Sequence, residues 1–196
     1  SSKLIEEKIF DPQLQNDPII QREKRAYEGG ELCTPEWVTE IINEKVKELS
    51  VKKETLIFTG SPRTLYEAEN EIPYWESVYG KENICIILIN LKPETTIFRN
   101  SHRRICSKCG YPVVYSFETE MWKFCPLCSG EIINRGVLDD VETIKIRIKE
   151  YENRTKPVID YFKKRNNKII ETDGEPLPDV VTQDILIKLA EADFLK

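Results

Sequence analysis

The sequence has 196 residues, of which 40% are hydrophobic and 32% charged, and this suits one domain with an inserted element. Its net charge of −5 at pH 7 argues against nonspecific binding to nucleic acid or to a membrane surface. The longest apolar run, ICIILI, is too short to span a bilayer and the first residues lack a signal-peptide core, so we expect a cytoplasmic protein with neither nucleic-acid nor membrane partners.

Helices are predicted for most of the first quarter of the chain. The apolar side chains of residues 1–10 have the spacing of a helix. The charged segment 21–30 is predicted to form a second helix, which ends at the two glycines Gly29 and Gly30. Thr34 is predicted to cap the next helix through its side chain, with Pro35 at the first helical position. The apolar side chains after Pro35 recur with helical spacing, so this helix should bury one face.

Two strands are predicted on either side of a further helix, which covers residues 64–79 and should be interrupted at Pro73. The first strand, residues 55–58 (TLIF), leads directly into the turn TGSPRT. The second, residues 83–91 (NICIILINL), is apolar on both faces. Such a run is typical of a fully buried strand in a parallel sheet with helices on both faces.

The remaining elements continue the alternation of helix and strand. Residues 94–104 are predicted to be helical, and Asp139 should cap a long helix that Pro157 kinks. A strand over residues 168–172 and a helix over residues 178–189 close the chain. Strands that alternate with helices predict an α/β sandwich.

Four of the six cysteines follow the spacing C-x2-C-x15-C-x2-C. They are Cys106, Cys109, Cys125 and Cys128. Because two such pairs can direct four thiolates at one ion, the spacing predicts a closed, structural zinc site rather than a catalytic one. A set of free or redox-active thiols is the alternative. The zinc would allow a small inserted lobe to fold although it is too poor in core residues to fold alone.

Two groups of arginines are candidates for binding phosphate. Arg99 and Arg103 lie four residues apart in the predicted helix and would share a face, although a solvated helix face is an equally good interpretation. Arg63 lies in the turn TGSPRT after a predicted strand, which is where α/β sheets hold ligands. His102, the only histidine, is interpreted as an exposed bystander because four sulfurs already satisfy the zinc.

Taken together, these segments resemble the adenylate kinase family of nucleoside monophosphate kinases, in its zinc-lid form. The matching segments occur in the family's order and are EGGELCTPEWV, TGSPRTLYEAE, FRNSHRRICSKCGYPV, ETIKIRIKEYENRTKPVIDYF and IIETDGEPLPDV. The resemblance covers about residues 1–190. It implies a P-loop-NTPase-like, three-layer α/β/α core with a parallel sheet, plus an inserted zinc-ribbon lid.

The resemblance also implies domain boundaries and a reaction. The core would comprise residues 1–98 and 135–196, with the monophosphate-binding helices within about residues 1–50, and the lid would comprise residues 99–134. The family catalyses ATP + NMP ⇌ ADP + NDP, with Mg²⁺ bound to ATP, and AMP is the monophosphate we expect. Phosphoryl transfer depends mainly on positioning and on neutralising charge.

Individual roles follow from the matched motifs. The resemblance implies that Arg63, Arg103 and Arg147 are catalytic. The residues implied to bind ATP are Arg99, Arg103 and Glu175. The residues implied to bind the monophosphate are Glu31, Cys33, Gly60, Arg63, Glu67 and Arg147. Arg135 is matched with a further lid arginine.

The sequence departs from the family at several positions. The phosphate-loop motif G-x-x-x-x-G-K-[ST] does not occur, because Gly80 is the only glycine that precedes a lysine and Glu82 follows where a hydroxyl residue is required. Thr59 stands in place of an aspartate that helps to hold Mg²⁺. Glu6 replaces a phosphate-binding arginine, and Glu67 replaces a glutamine that recognises adenine. A carboxylate beside a phosphate is repulsive unless a cation shields it.

Two interpretations therefore stay open. In the first, the protein is a divergent nucleoside monophosphate kinase whose phosphate loop precedes Ser1; loss of the family's central first strand would leave buried backbone groups unpaired, which favours this interpretation. In the second, it is a catalytically inactive relic that binds a nucleotide or a protein partner, which the acidic substitutions favour. Under either interpretation we expect a monomer, and we expect the 196-residue chain alone to transfer phosphate poorly.

Overall fold

The computed structural model describes residues 2–134 and 136–195, so Arg135 lies outside the described residues. The α-helices are α1 (Ser2–Ile9), α2 (Pro18–Glu28), α3 (Pro35–Val51), α4 (Leu65–Tyr79), α5 (Pro93–Ser101), α6 (Val141–Glu150), α7 (Lys156–Lys164) and α8 (Pro178–Glu191). The strands are β1 (Cys85–Asn90), β2 (Arg104–Cys106), β3 (Pro112–Val113), β4 (Ile132–Asn134) and β5 (Lys168–Asp173). None of the helices in these ranges is long and apolar enough to cross a membrane.

The described residues divide into two units. The first comprises the residues up to Ile89 and those from Glu150 onward, and the second is Asn90–Lys149. The second unit is longer at both ends than the lid predicted for residues 99–134, because it includes α5 and most of α6. A role of this unit as a lid remains a prediction.

The core of the first unit lies where α3, α4 and α7 pack together. Buried apolar side chains recur on α3 at four-residue spacing, which places Val38, Ile42 and Val46 on one helical face. From α4, Trp75 joins this core and stacks on Phe58 with ring centroids 4.3 Å apart. The packing explains why the helices of this segment are regular, since an amphipathic face is stabilised mainly by tertiary contacts.

The sheet of the first unit consists of β1 and β5, which pair side by side in parallel. Partly buried apolar residues from both strands pack against the core formed by α3, α4 and α7. The sequence prediction of an α/β core with a parallel sheet is therefore confirmed.

Two predictions about strands were wrong. Residues 55–58 form no strand, and Ile57 is 89% exposed. The strand β1 is not fully buried, since Ile87 and Ile89 are 40% and 46% exposed. Both differences have one cause: among the described residues the parallel sheet has two strands, so residues 55–58 have no ladder to join. Leu56 and Phe58 still pack against the core.

The two internal prolines act differently from each other. Pro73 was predicted to interrupt its helix, but α4 is continuous from Leu65 to Tyr79. The helix loses one backbone donor there and remains supported by the core packing of its other residues. Pro157 follows a π-helical turn at Tyr151–Thr155, in which the Lys156 N–H bonds the Tyr151 carbonyl five residues back. A π turn takes up one extra residue per turn, and it thereby relieves the clash that a proline causes in a regular α-helix.

The second unit is built on a three-stranded antiparallel sheet in the order β3-β2-β4. Arg104 pairs with Asn134 on one side and with Val113 on the other. An isolated bridge joins Phe124 to Glu131. These pairings bring the two C-x2-C segments together, because one flanks β2 and the other precedes β4.

Two helix boundaries in the second unit differ from prediction. The helix predicted over residues 94–104 ends at Ser101, so Arg103 is not on a helical face shared with Arg99. The chain must become extended there because β2 begins at Arg104. Before α6, Asp140 rather than Asp139 caps the helix, and its carboxylate accepts the Glu142 N–H at 3.0 Å.

The contrast between two valines on α3 tests the location of the core. Val46 is 1% exposed and Val51 is 81% exposed. Val46→Ala should lower the free energy of unfolding by about 2 kcal/mol because it leaves a cavity, whereas Val51→Ala should change it by less than about 0.5 kcal/mol. Urea unfolding followed by circular dichroism measures both, and equal effects would contradict this core.

Candidate functional site

A small cavity in the first unit collects most of the residues predicted to bind a monophosphate. Its volume is about 50 Å³. The residues that line it are Ile5, Tyr27, Glu31, Leu32, Cys33, Val38, Gly60, Arg63 and Glu67. The structure thus brings together Glu31, Cys33, Gly60, Arg63 and Glu67, which the sequence distributes over 37 positions. Its lining combines apolar side chains with one arginine and two carboxyl groups, Glu31 and Glu67.

Arg63 supplies the positive charge of this cavity, and its backbone is held at both ends. Its N–H donates to Glu67 Oε2 at 2.7 Å, and its carbonyl accepts from the Thr155 hydroxyl at 2.9 Å. Gly60 has a φ of +73°, and a Cβ there would lie 2.4 Å from Arg63 Nη2. Only glycine therefore fits at position 60 while the guanidinium group keeps this position.

Glu67 is buried and is part of the N-terminal cap of α4. The Thr64 hydroxyl donates to Glu67 Oε1 at 3.0 Å and accepts the Glu67 N–H at 3.2 Å. The spacing T-x-x-E at positions 64–67 is that of a capping box, but the Glu67 carboxylate accepts the Thr64 hydroxyl and the Arg63 N–H where a capping box would use the Thr64 N–H. The carboxylate was expected to face a base. It does line the cavity, but both of its oxygens also accept bonds from the turn before α4.

Glu23 is a residue that the sequence analysis missed. It is fully buried on α2, and its carboxylate accepts both the Thr34 N–H at 2.7 Å and the Thr34 hydroxyl at 2.6 Å. Thr34 was predicted to cap α3 through its side chain, but its hydroxyl serves Glu23 instead. Because Glu31 and Cys33 immediately precede Thr34, Glu23 fixes the loop that forms one wall of the cavity.

The charges around this loop shift two pKa values. Burial tends to raise the pKa of Glu23, but the hydrogen bonds from Thr34 and the adjacent Arg22 guanidinium outweigh it and hold the pKa below its usual range. Burial, reinforced by Glu23, raises the pKa of the Cys33 thiol to about 11. Cys33 is therefore a neutral, unreactive wall residue at physiological pH.

Glu6, which the resemblance matched with an arginine of the family, accepts a hydrogen bond from the Tyr27 hydroxyl. Tyr27 itself lines the cavity. The carboxylate of Glu6 is thus engaged at the edge of the cavity rather than solvated in bulk. Among the described residues that line the cavity, Arg63 is the one arginine.

The other predicted site residues lie elsewhere. Glu175 lies in the first unit, between β5 and α8, where its N–H donates to Asp173 Oδ1 at 3.0 Å. Arg99 lies on α5 and Arg147 lies exposed on α6, both in the second unit. Arg103 follows α5, and its Nε donates to the buried Asp139 at 3.2 Å. Asp139 holds the Arg103 guanidinium in one orientation.

His102 belongs to a small aromatic cluster of the second unit. Its ring centroid lies 4.3 Å from that of Phe98 and 5.0 Å from that of Tyr115. The ring atom Nδ1 lies 2.9 Å from the Phe98 carbonyl. His102 is exposed, as expected, and packs at the end of α5 next to Arg103.

The four cysteines predicted to bind zinc meet in the second unit. Their sulfur atoms all lie within 4.8 Å of one another. Cys106 Sγ is 3.4 Å from Cys128 Sγ, and Cys109 Sγ is 3.7 Å from Cys125 Sγ. Zinc–sulfur bonds of about 2.3 Å in a tetrahedron place sulfurs roughly 3.8 Å apart, so this cluster fits a zinc ion. No disulfide links any of the four.

The backbone around the cysteines has the shape of two zinc knuckles. The N–H groups of Lys108 and Cys109 both point at Cys106 Sγ at 3.4 Å, which stabilises a thiolate there. Gly130 packs so closely that a Cβ would lie 2.8 Å from Cys106 Sγ. A side chain at this position would therefore displace the Cys106 sulfur, which explains the glycine after the second knuckle.

Comparison with known proteins gives a consistent set of relatives. Adenylate kinase of Acetivibrio thermocellus is 30% identical over 188 residues, which cover 93% of this chain and 83% of that protein. Adenylate kinase of Ruminiclostridium cellulolyticum is 31% identical over 191 residues, with 89% and 86% covered. That of Petrotoga mobilis is 33% identical over 165 residues, with 83% and 73% covered. No family model matches the chain.

The Glu23 carboxylate should make stability depend on acid pH. Its pKa is lowered on folding from 4.5, so its contribution is complete above that pH and is lost as the pH falls through the folded-state pKa. Glu23→Gln should lower the free energy of unfolding at pH 7 by about 1–3 kcal/mol, and this deficit should shrink below pH 4.5. Glu28→Gln, an exposed change on the same helix, should have little effect at either pH. A deficit that does not vary between pH 7 and pH 3 would contradict this role.

The cysteine cluster predicts a metal content that elemental analysis can measure. The freshly purified protein should carry about one zinc ion per chain, and Cys125→Ser should lose it and lower the melting temperature. Cys85→Ser, a matched change outside the cluster, should keep the metal. If the wild-type protein contains no zinc and all of its thiols react with a thiol reagent, the cysteines are free thiols and the zinc site is contradicted.

Proposed function

The chain belongs to the adenylate kinase family, and on this premise we propose that the protein is a nucleoside monophosphate kinase that transfers a phosphoryl group from ATP to AMP. The relatives named above are adenylate kinases and match the chain over most of their length. The observation that carries the proposal is the cavity of the first unit, which is lined by five of the six residues expected to bind the monophosphate. We also expect the protein to act in the cytoplasm, where four thiols stay reduced.

Arg63 would bind the phosphate of the monophosphate. A guanidinium group suits this role because its planar fork donates two parallel hydrogen bonds to phosphate oxygens. The Arg63 backbone donates a hydrogen bond to Glu67 and accepts one from Thr155. These two bonds support the assignment, since they fix the residue before any ligand binds. The loop of residues 31–33, which Glu23 ties down, would border the base.

The arginines of the second unit would act on the transferring group and on ATP. Arg103 and Arg147 would neutralise the charge that spreads over the phosphoryl oxygens in the transition state, and Arg99 would lie over the base of ATP. The Asp139 carboxylate supports the assignment of Arg103, because an arginine held in advance loses less entropy on binding. Mg²⁺ bound to ATP would supply further charge neutralisation of the ATP phosphates. Glu175 would border the ATP base.

The zinc ion would have a structural role. Four cysteines fill a tetrahedron, so no position remains for water or substrate. The ion would hold β2 and the second knuckle together and would give Arg103 and Arg104 a rigid support. We propose that residues 99–134 act as the lid that excludes water from the reaction.

A second candidate function is a relic that binds a nucleotide or protein partner without turnover. The carboxylates near the cavity favour it, because Glu6, Glu31 and Glu67 would all lie near an anionic ligand. ATP- and AMP-dependent ADP formation, measured on the protein from its native source, separates a kinase from a relic.

Removal of the Arg63 side chain tests the monophosphate site without requiring turnover. Arg63→Ala should raise the dissociation constant for AMP, measured by calorimetry, roughly 10- to 100-fold, because a hydrogen-bonded charge pair is lost. Arg25→Ala is the matched control, because Arg25 is exposed and its Nε donates to the Gln21 carbonyl of the same helix. It should leave the dissociation constant for AMP within about twofold of the wild-type value.

The same titrations discriminate between the interpretations. Equal AMP affinities of wild type and Arg63→Ala would overturn the assignment of Arg63. A wild-type chain that binds no nucleotide would favour the relic that binds a protein partner.

A further inference from the structure

Glu71 is a buried carboxyl group that the proposed mechanism does not use. It lies on α4, is fully buried, and accepts a hydrogen bond from the Ser61 hydroxyl to its Oε2 at 3.4 Å. Its other oxygen, Oε1, is buried without a hydrogen-bond partner, and so is the hydroxyl of Thr39 on the facing helix α3. Buried polar atoms without partners are rare, so this group needs a specific explanation.

The position of Glu71 relates it to the turn that carries Arg63. Glu67 and Glu71 are four residues apart on α4 and share a helical face. Glu67 accepts the Arg63 N–H, and Glu71 accepts the Ser61 hydroxyl. The two carboxyl groups therefore hold the turn at residues 61 and 63, on either side of Pro62. Any change of charge or position at Glu71 acts on the segment that sets the direction of the Arg63 side chain.

We propose that Glu71 is a positioning residue for the monophosphate site, which accepts the Ser61 hydroxyl and thereby orients Arg63, and whose ionisation weakens monophosphate binding by adding a second negative charge next to Glu67. This inference rests on the proposed function only in its last step, the binding of a monophosphate at Arg63. The coupling between Glu71 and the turn stands on the contacts alone.

The surroundings of Glu71 favour the neutral form. Burial raises its pKa to about 8, and the nearby Glu67 carboxylate contributes to the rise. The Ser61 hydroxyl, which donates to Oε2, and the Thr39 hydroxyl, which lies near the carboxyl group but outside hydrogen-bonding geometry, oppose the rise without cancelling it. A proton on Oε1 would also turn an orphaned acceptor into a donor near the Thr39 hydroxyl.

Ionisation has two consequences for a bound phosphate. It places a second negative charge one helical turn from Glu67, and the electrostatic repulsion acts on the turn between them as well as on the ligand. Repulsion gives the direction of the effect: Glu71 is neutral below its pKa and charged above it, so monophosphate affinity should fall as the pH rises through about 8.

Nuclear magnetic resonance tests the coupling without any ligand. In the wild type, the side-chain carboxyl carbon of Glu71 and the backbone amides of Ser61 and Arg63 should titrate together with a midpoint near 8. In Glu71→Gln the two amides should lose this transition. Glu69→Gln, the same change at an exposed position of α4, should keep it. Ser61→Ala, a second variant, keeps the Glu71 titration but should reduce the response of the Arg63 amide.

The dissociation constant of AMP then tests the consequence for binding. Between pH 7 and pH 9 it should rise roughly tenfold in the wild type and in Glu69→Gln, and by less than about twofold in Glu71→Gln. A neutral amide at position 71 should thus keep at pH 9 the affinity that the wild type shows at pH 7.

The outcomes separate this inference from the proposed function. If the amides titrate with Glu71 but AMP does not bind at any pH, the proposed function fails and the coupling stands. If AMP binds and Glu71 titrates near its ordinary value of 4.5, or if Glu71→Gln retains the alkaline transition, the inference is overturned while the kinase assignment stands.

Discussion

The cavity of the first unit depends on buried carboxylates that accept hydrogen bonds from loops. Glu23 holds Thr34 and with it the loop before α3, and Glu67 holds Arg63 and Thr64 before α4. Removal of a carboxylate from water costs several kcal/mol unless its oxygens find donors, and here backbone N–H and hydroxyl groups provide them. The two walls of the cavity, residues 31–33 and 60–63, take their positions from these two interactions.

This construction places acidic groups where an anionic substrate is expected, and the structure explains how the two can coexist. The carboxylates of Glu23 and Glu67 direct their negative charge at the donors that they bind, and Glu6 is bonded to Tyr27. Arg63 remains as the cation of the cavity. In a site with this balance, the protonation of a further buried carboxyl such as Glu71 is a sensitive variable, because one extra charge is comparable to the whole contribution of the arginine.

The second unit solves a different problem, that of a lobe with little core. Its most buried side chains include two of the cysteines, Cys106 and Cys125, together with Val113, whereas Phe117 and Leu127 are 92% and 71% exposed. Metal–sulfur bonds can replace the hydrophobic burial that such a lobe lacks. Rigidity at this point would serve the proposed function, because Arg103 and Arg104 lie between the end of α5 and the first knuckle.

The sequence by itself determined the features that arise from local patterns: the helices of the first quarter, the α/β class, the four-cysteine cluster and the family. Spacing alone carries such information, because metal knuckles and helix faces are set by residues close in the chain. Only the tertiary structure decided that residues 55–58 form no strand, that Arg103 pairs with Asp139 beyond the end of α5, and that Glu23 and Glu71 accept hydrogen bonds from Thr34 and Ser61. A strand requires a neighbour, an ion pair requires a partner 36 positions away, and the pKa of a buried acid depends on which groups surround it in space. None of these conditions is visible in a local pattern.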